Sequence, residues 1–468
     1  MLFRTFARKA SSGQTWKTAR QFSSQQAKVA CACFEGSVCT EPCKPSTSTH
    51  THLGAPATEA QTKLMQTEDK YGAHNYHPIE VVLARGQGIH LWDVDGKRYF
   101  DFLAAYSAVN QGHCHPRLVS ALCQQASKLN LTSRAFFNSN LPDALQFMHD
   151  YFGTDKCLFM NSGAEAVETA VKVVRKWGYE VKGIPPNRAK VIFCKDNFHG
   201  RTMTCVSAST DPGTRRNFGP FLPNIDTIRY NDLDALREAV QHPHVAGFVV
   251  EPVQGEAGVK VPDPGYLTAA RDICKQANVL FVADEVQTGL GRTGQRLAVD
   301  WEGVTPDLVV MGKALSGGLL PVSAVVGSDE VILRFTHGTH GSTFGGNPMA
   351  CAVAKEALSI LEDENLYQNS RDMGERFRLK LREVQQRNEY VTTVRGKGLM
   401  NAMVVKPRQD GAEAIDLCYL MRDNGLLAKP THGDIIRFTP PLCITADQVD
   451  ECVGIIEKSL DQYASGQR

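Results

Sequence analysis

The sequence predicts an α/β protein with a mostly parallel sheet covered by helices on both faces, and three observations lead there. Short apolar runs at 156–160, 189–194, 247–250, 280–283 and 308–311 are continuous rather than alternating, which is how strands buried on both faces read. Between them lie stretches of helical spacing, so strand and helix alternate from about 120 to 347. Two of the runs stop abruptly at polar residues: Val279 to Ala283 at Asp284-Glu285, and Leu308 to Met311 at Gly312-Lys313. Ligands of open α/β sheets sit beyond the carboxyl ends of the strands, so Asp284 and Lys313 are expected to face one crevice.

In chain order, residues 1–34 carry Arg4, Arg8, Lys9, Lys17, Arg20 and Lys28, with no acid before Glu35. That composition predicts a segment targeted to the mitochondrial matrix; the alternative is a plain tail on a cytoplasmic protein. The tract that follows is Ser/Thr/Pro-rich and low in apolar content, so 1–67 is expected to be a leader without structure of its own. From 68 to 119 short strands around the Asp95-Gly96 turn predict the first part of a small antiparallel lobe. Helical spacing through Leu118, Ala121, Leu122 and Ala126 opens the large domain, 120–347. From 348 to 468 helical patterns dominate, with strand-like 398–405 and 435–439, and this part is expected to join the N-terminal strands in one small α+β lobe.

Composition narrows the function classes. In 468 residues, 51 basic side chains balance 50 acidic ones, so no overall field directs the chain to nucleic acid or to a membrane surface. No run approaches the roughly eighteen apolar residues of a membrane span. The 14 cysteines are scattered, mostly within apolar stretches, as in a reducing compartment. Cys31, Cys33, Cys39 and Cys43 lack the paired two-residue gaps of zinc sites, and no metal is expected.

A lysine and an aspartate at neighbouring strand ends admit two readings. One is a structural ion pair. The other is pyridoxal phosphate, whose aldehyde a lysine amine can capture while a carboxylate keeps the pyridine nitrogen protonated. Asn161-Ser162-Gly163-Ala164-Glu165 follows a strand and opens a helix, which suits a phosphate but is also an ordinary serine cap. Arg201 and Arg437 stand in Gly-rich or apolar surroundings, where either an internal salt bridge or a substrate carboxylate would offset the charge.

The segments MNSGAEAVETA, NFHGRT, VEPVQGEAG, ADEVQTGLGRTG, GKALSGG and GSTFGGNP resemble the class III (omega) aminotransferases, and the resemblance runs from about Tyr71 nearly to the chain end. KYGAHNYHP, FDFLAAYSAVNQGHCHP, RKWGYEVKGI, TDPGTRRNFGPF and RDNGLLAKPTHGDIIRF are similar to members of that family that act on ornithine. The resemblance implies a fold-type I pyridoxal phosphate enzyme. Lys313 would hold the cofactor and move the proton, with Asp284 at the ring nitrogen and Gln287 at the phenolic oxygen. Phe198 and Val286 would flank the ring. Ser162, Gly163 and Ala164 would hold the phosphate, with Ser342 and Thr343 of a second subunit, so a homodimer is implied. It further implies that ornithine and 2-oxoglutarate share one pocket, lined by Tyr76, Tyr106, Arg201 and Arg437, with Glu256 covering Arg437 in one half-reaction and releasing it in the other. His199 departs from the tryptophan of some ornithine-using members. N-acetylornithine and 4-aminobutyrate are the alternative amino donors.

Overall fold

The computed structural model describes residues 52–466, and the chain is already folded well before residue 68. Glu59–Tyr71 is a helix, capped by the Thr58 hydroxyl, which accepts from Gln61 N, and stopped at Gly72. The helix buries a polar residue: Gln61 donates to Asp95 Oδ2 at 2.7 Å and accepts from Val82 N at 3.0 Å. Ahead of it, Leu53 N donates to Asp416 at 3.3 Å and the His52 ring stacks on Tyr419 with centroids 4.3 Å apart. The expectation of a structureless leader up to 67 is therefore corrected for 52–67. Its low apolar content misleads because polar contacts to the body hold it in place. The basic segment and the Cys31 to Cys43 cluster lie outside the described residues.

The first sheet is made by β1 (Leu83–Gln87), β2 (His90–Asp93) and β3 (Arg98–Asp101), antiparallel neighbours in that order. The central sheet takes β4 (Lys156–Met160), β5 (Lys190–Cys194), β6 (Ile225–Ile228), β7 (Val245–Val250), β8 (Leu280–Asp284), β9 (Leu308–Met311) and β10 (Ser323–Gly327). Their order is β4-β10-β9-β8-β7-β5-β6. All neighbours are parallel except β10, which runs antiparallel to both β4 and β9. The sequence reading missed β6 and β10; β10 is one short apolar run with no α-helix between it and β9.

Alternation across the pleat divides the core. Phe248 and Phe281 face one side, with Leu236 and Tyr266, while Val249, Val282 and Val310 face the other, against Val173, Val174 and Trp177 of the helix Gly163–Glu180. Each fully buried side chain of this size is worth about 1.5–3 kcal/mol, so both faces of the sheet are strongly fixed.

The C-terminal region contributes β11 (Val391–Lys397), β12 (Met400–Val405), β13 (Leu426–Leu427), β14 (Lys429–Thr431) and β15 (Ile435–Phe438). β13 pairs in parallel with β3 and so ties the two chain ends into one sheet, while the others form a sheet of order β11-β12-β15-β14.

Candidate active site

Strands β8 and β9 place the central pair. Their register sets Asp284 beside Val310, so Lys313, three residues further on, leaves the sheet next to the Asp284 carboxylate. Lys313 opens a tight turn, Lys313–Ser316, with φ of +43°, a left-handed conformation that a side chain adopts only under constraint. Burial pushes its amine down to about 8, against the pull of Glu256 and with the help of Arg437. Asp284 is 4% exposed; its Oδ1 accepts from Val286 N at 3.0 Å and its Oδ2 meets His199 Nδ1 at 2.6 Å. Burial works against charge on His199, but the hydrogen bond and charge of Asp284 win and hold its pKa above the ordinary value. The neighbouring Glu285 is used for structure, accepting from Val299 N at 2.9 Å and from the Thr288 hydroxyl.

Around this pair lies a cavity of about 180 Å³ lined by Gly163, Ala164, Phe198, Val286, Gln287 and Lys313, among others. A pyridoxal phosphate fits the donors it offers. The helix Gly163–Glu180 begins at its edge, and its capping box uses up some of the free amides: Glu165 Oε2 accepts from Asn161 N at 2.9 Å and Ser162 N at 2.8 Å. Gly163 and Ala164 remain at the cavity wall, with the positive end of the helix dipole behind them. Gly163 must be glycine, since a Cβ there would come within 2.9 Å of Val286 Cγ1 and narrow the slot between helix and strand. An amine of lowered pKa, a buried carboxylate and a half-buried aromatic, Phe198, complete the set that an aldehyde, a ring nitrogen and a ring face require. Ser342 and Thr343 are not brought to this cavity by their own chain: Ser342 Oγ accepts from Asn161 Nδ2 at 2.8 Å, and Thr343 lines a separate crevice with Leu131 and Asn347.

Outside the cavity an ion pair spans the two lobes. Arg437, in the middle of β15 and 4% exposed, donates from Nη1 to Glu256 Oε1 at 2.8 Å, and Gln287 Nε2 donates to the same oxygen at 3.1 Å. Burial would raise the Glu256 pKa, but Arg437 and Lys313 overcome it and hold the carboxyl below its usual value. Among the described residues no acceptor meets Arg437 Nε, and the Tyr106 ring covers the guanidinium with its centroid 5.0 Å from Cζ. For Gln287 the structure thus shows a bond to Glu256. Arg201 corrects the sequence argument: it is exposed, so burial gives it no need of a partner, and it donates to the neutral Thr214 hydroxyl at 3.0 Å. Tyr76 is 68% exposed.

Two features went unread in the sequence. Glu251, 4% exposed, closes strand β7 as Asp284 closes β8, lines the cavity and accepts from Phe198 N at 3.1 Å. Burial pushes its carboxyl up to about 8. The signal was available, a polar residue ending an apolar strand. The other is a left-handed turn at Ala104, Ala105, Tyr106 and Ser107, with φ of +44°, +48°, +60° and +73° and no glycine. Such a conformation costs about 1–2 kcal/mol per residue and is normally met singly; nothing in Ala-Ala-Tyr-Ser announces it.

A parallel-sheet fold with a lysine and an aspartate at adjacent strand ends, beside a helix N-terminus, defines a cofactor-dependent α/β enzyme. Comparison with known proteins makes the class specific. The family model for aminotransferase class-III matches residues 71–460. The mitochondrial ornithine aminotransferase of Rattus norvegicus is 54% identical over 410 residues, 88% of this chain and 92% of the relative. The probable mitochondrial ornithine aminotransferase of Caenorhabditis elegans is 52% identical over 402 residues, covering 86% and 94%. The ornithine aminotransferase structure from Toxoplasma gondii ME49 superposes with a TM-score of 0.85 at 46% identity, covering 87% of this chain and 97% of that one. The acetylornithine aminotransferase structure from Elizabethkingia anophelis superposes at 0.78 with 50% identity, covering 86% and 99%. The chain belongs to the aminotransferase class-III family, whose members depend on pyridoxal phosphate.

Proposed function

We propose that the protein moves the δ-amino group of L-ornithine to 2-oxoglutarate, giving glutamate 5-semialdehyde and glutamate. The observation that carries this reading is the Glu256–Arg437 pair at 2.8 Å, roofed by Tyr106 and braced by Gln287. With Glu256 on the guanidinium, a donor that presents its α-amine for reaction finds no partner for its α-carboxylate at Arg437 and is disfavoured. Ornithine then enters by its side-chain amine, its α-carboxylate on Arg201 and its α-amine near Tyr76. With Glu256 withdrawn, 2-oxoglutarate lays its α-carboxylate on Arg437 and its distal carboxylate on Arg201.

When bound, pyridoxal phosphate supplies an aldehyde that takes up the amino group and a ring that accepts electrons. Lys313, with an amine near pKa 8, is neutral often enough at physiological pH to accept the proton from the substrate carbon and return it on the other side. Asp284, kept in place by Val286 N and His199, would hold a proton at the ring nitrogen. Gly163 and Ala164 would meet the phosphate with backbone amides, and Phe198 and Val286, which line the same cavity, would exclude water from the ring. Ser342 and Thr343 of a second copy complete the phosphate site, so the working unit is a homodimer. Relatives named as mitochondrial and the basic, acid-free 1–34 segment support delivery to the mitochondrial matrix.

The acetylornithine aminotransferase likeness at 50% identity keeps one rival in view. Single-turnover conversion with ornithine, N-acetylornithine and 4-aminobutyrate decides between them. Ornithine should be fastest; a faster reaction with either rival donor refutes the assignment.

A further inference from the structure

We infer that Asp101 is a positioning residue for substrate selection, acting through the left-handed turn that it anchors and the Tyr106 ring which that turn presents to Arg437. The inference rests on the amino-donor reading above. Four successive non-glycine residues with positive φ persist only where surrounding contacts over-determine them.

Those contacts converge on the start of the turn. Asp101, at the end of β3 and 4% exposed, accepts at Oδ1 from Leu103 N at 2.9 Å and from Ala104 N at 2.8 Å, and its Oδ2 meets His113 Nε2 at 2.7 Å. Thr439 closes the other side: its hydroxyl donates to Leu103 O at 2.8 Å and its N donates to Phe102 O at 2.8 Å. Beyond the turn, Ala108 N and Val109 N both donate to Ala104 O, at 2.9 and 3.1 Å.

Thr439 stands two residues after Arg437, so the turn is tied to the end of β15, the strand that carries the guanidinium. The geometry then divides Arg437 into a face and an edge. Tyr106 occupies the face, with its ring centroid 5.0 Å from Cζ, and Glu256 occupies the edge at 2.8 Å. A substrate carboxylate that takes Arg437 Nη1 must displace Glu256, and for as long as the ring stays over the face it must approach along the edge. Asp101 touches no reacting atom. Its charge holds two backbone amides, the amides hold the turn, and the turn holds the ring. Ala105 is exposed within this turn, so glycine there relaxes the backbone without opening a cavity.

The test compares single-turnover conversion of the pyridoxal form with ornithine and with glutamate in the parent, Asp101→Ala, Thr439→Val, and each combined with Ala105→Gly. Removing a charged acceptor from two amides should lower the ornithine-to-glutamate rate ratio about tenfold or more, and losing one neutral hydrogen bond in Thr439→Val should lower it about threefold. Glycine at 105, which enters the left-handed region without cost, should restore most of the ratio in both backgrounds while the cofactor absorbance stays unchanged throughout. A ratio unaltered in the variants, an equal loss with both donors, or no recovery with Ala105→Gly would overturn the inference. If Asp101→Ala does not fold, Thr439→Val with and without Ala105→Gly decides by the same three outcomes. A parent that fails to react with ornithine refutes the amino-donor assignment instead, and the turn is then judged on the preferred donor against glutamate.

Discussion

Replacing Glu256 by alanine separates a switch from a brace. In the structure one oxygen of this carboxylate takes both Arg437 Nη1 at 2.8 Å and Gln287 Nε2 at 3.1 Å, and the arginine it neutralises is almost wholly buried. Glu256→Ala leaves that guanidinium with an aromatic face and no anion, ready for the α-carboxylate of any amino acid that reaches it. A charge-assisted hydrogen bond contributes about 1.5–3 kcal/mol, and the Glu256 side chain is 25% exposed, so solvent screening favours the lower half of that range. The ratio of glutamate to ornithine half-reaction rates should then rise about tenfold, and at most about a hundredfold. The assay is single-turnover conversion of the pyridoxal to the pyridoxamine form, followed by absorbance with each donor in parent and variant. Glu256→Gln, which keeps the shape and the contact to Gln287 but not the charge, should show a smaller shift in the same direction. An unchanged ratio in both variants would mean that the carboxylate only joins the lobes, and that ornithine is selected by Tyr76 and Tyr106 alone.

Lys313→Ala should abolish turnover while the protein stays folded and still takes up cofactor non-covalently; a positioned acid–base group contributes about 10²–10⁴-fold, so residual steady-state activity above about one part in a thousand refutes its role. Capture of pyridoxal phosphate by cofactor-free enzyme should follow deprotonation of an amine near pKa 8, rising about tenfold from pH 7 to pH 9; a rate still climbing steeply above pH 10 would mean an unperturbed lysine. Glu251, pushed up to about 8, keeps its proton in the folded state while the unfolded chain loses it near pH 4.5, so it makes the parent less stable as pH rises from about 5 to 8. Glu251→Gln lacks that titration, and its melting temperature should gain on the parent's across this window; parallel curves would show that the carboxyl is already ionised. A fluorescent reporter fused to residues 1–34 should reach mitochondria, and a diffuse cytosolic signal would make the segment a plain tail.

Five of the seven strands of the central sheet were legible because their signals are local. A continuous apolar run bounded by a polar stop is complete within a few residues, and the stops at Asp284 and Lys313 fall where β8 and β9 end. What could not be read are pairings between residues distant in the chain: Glu256 and Arg437 lie 181 positions apart, His199 and Asp284 85 apart. Resemblance supplied the first of these pairings and was silent on the second, and neither spacing nor composition contains either. Positions set by side-chain bonds to the backbone were not legible either, for another cause. Gln61, Asp101 and Glu165 each use one side chain to satisfy backbone amides or buried polar groups, at Val82, at Leu103 and Ala104, and at Asn161 and Ser162. A reading built on apolar periodicity assigns such residues to surface or loop, because in sequence they look like solvated polar positions. Yet an unmet amide costs about 1–3 kcal/mol when buried, as much as roughly one to four lost methylenes, so one carboxylate can fix a turn as firmly as a small apolar contact. The tract before residue 68 folds, and the left-handed turn under Tyr106 persists, by the same physics: in both, position is set by polar satisfaction where hydrophobic pattern is absent.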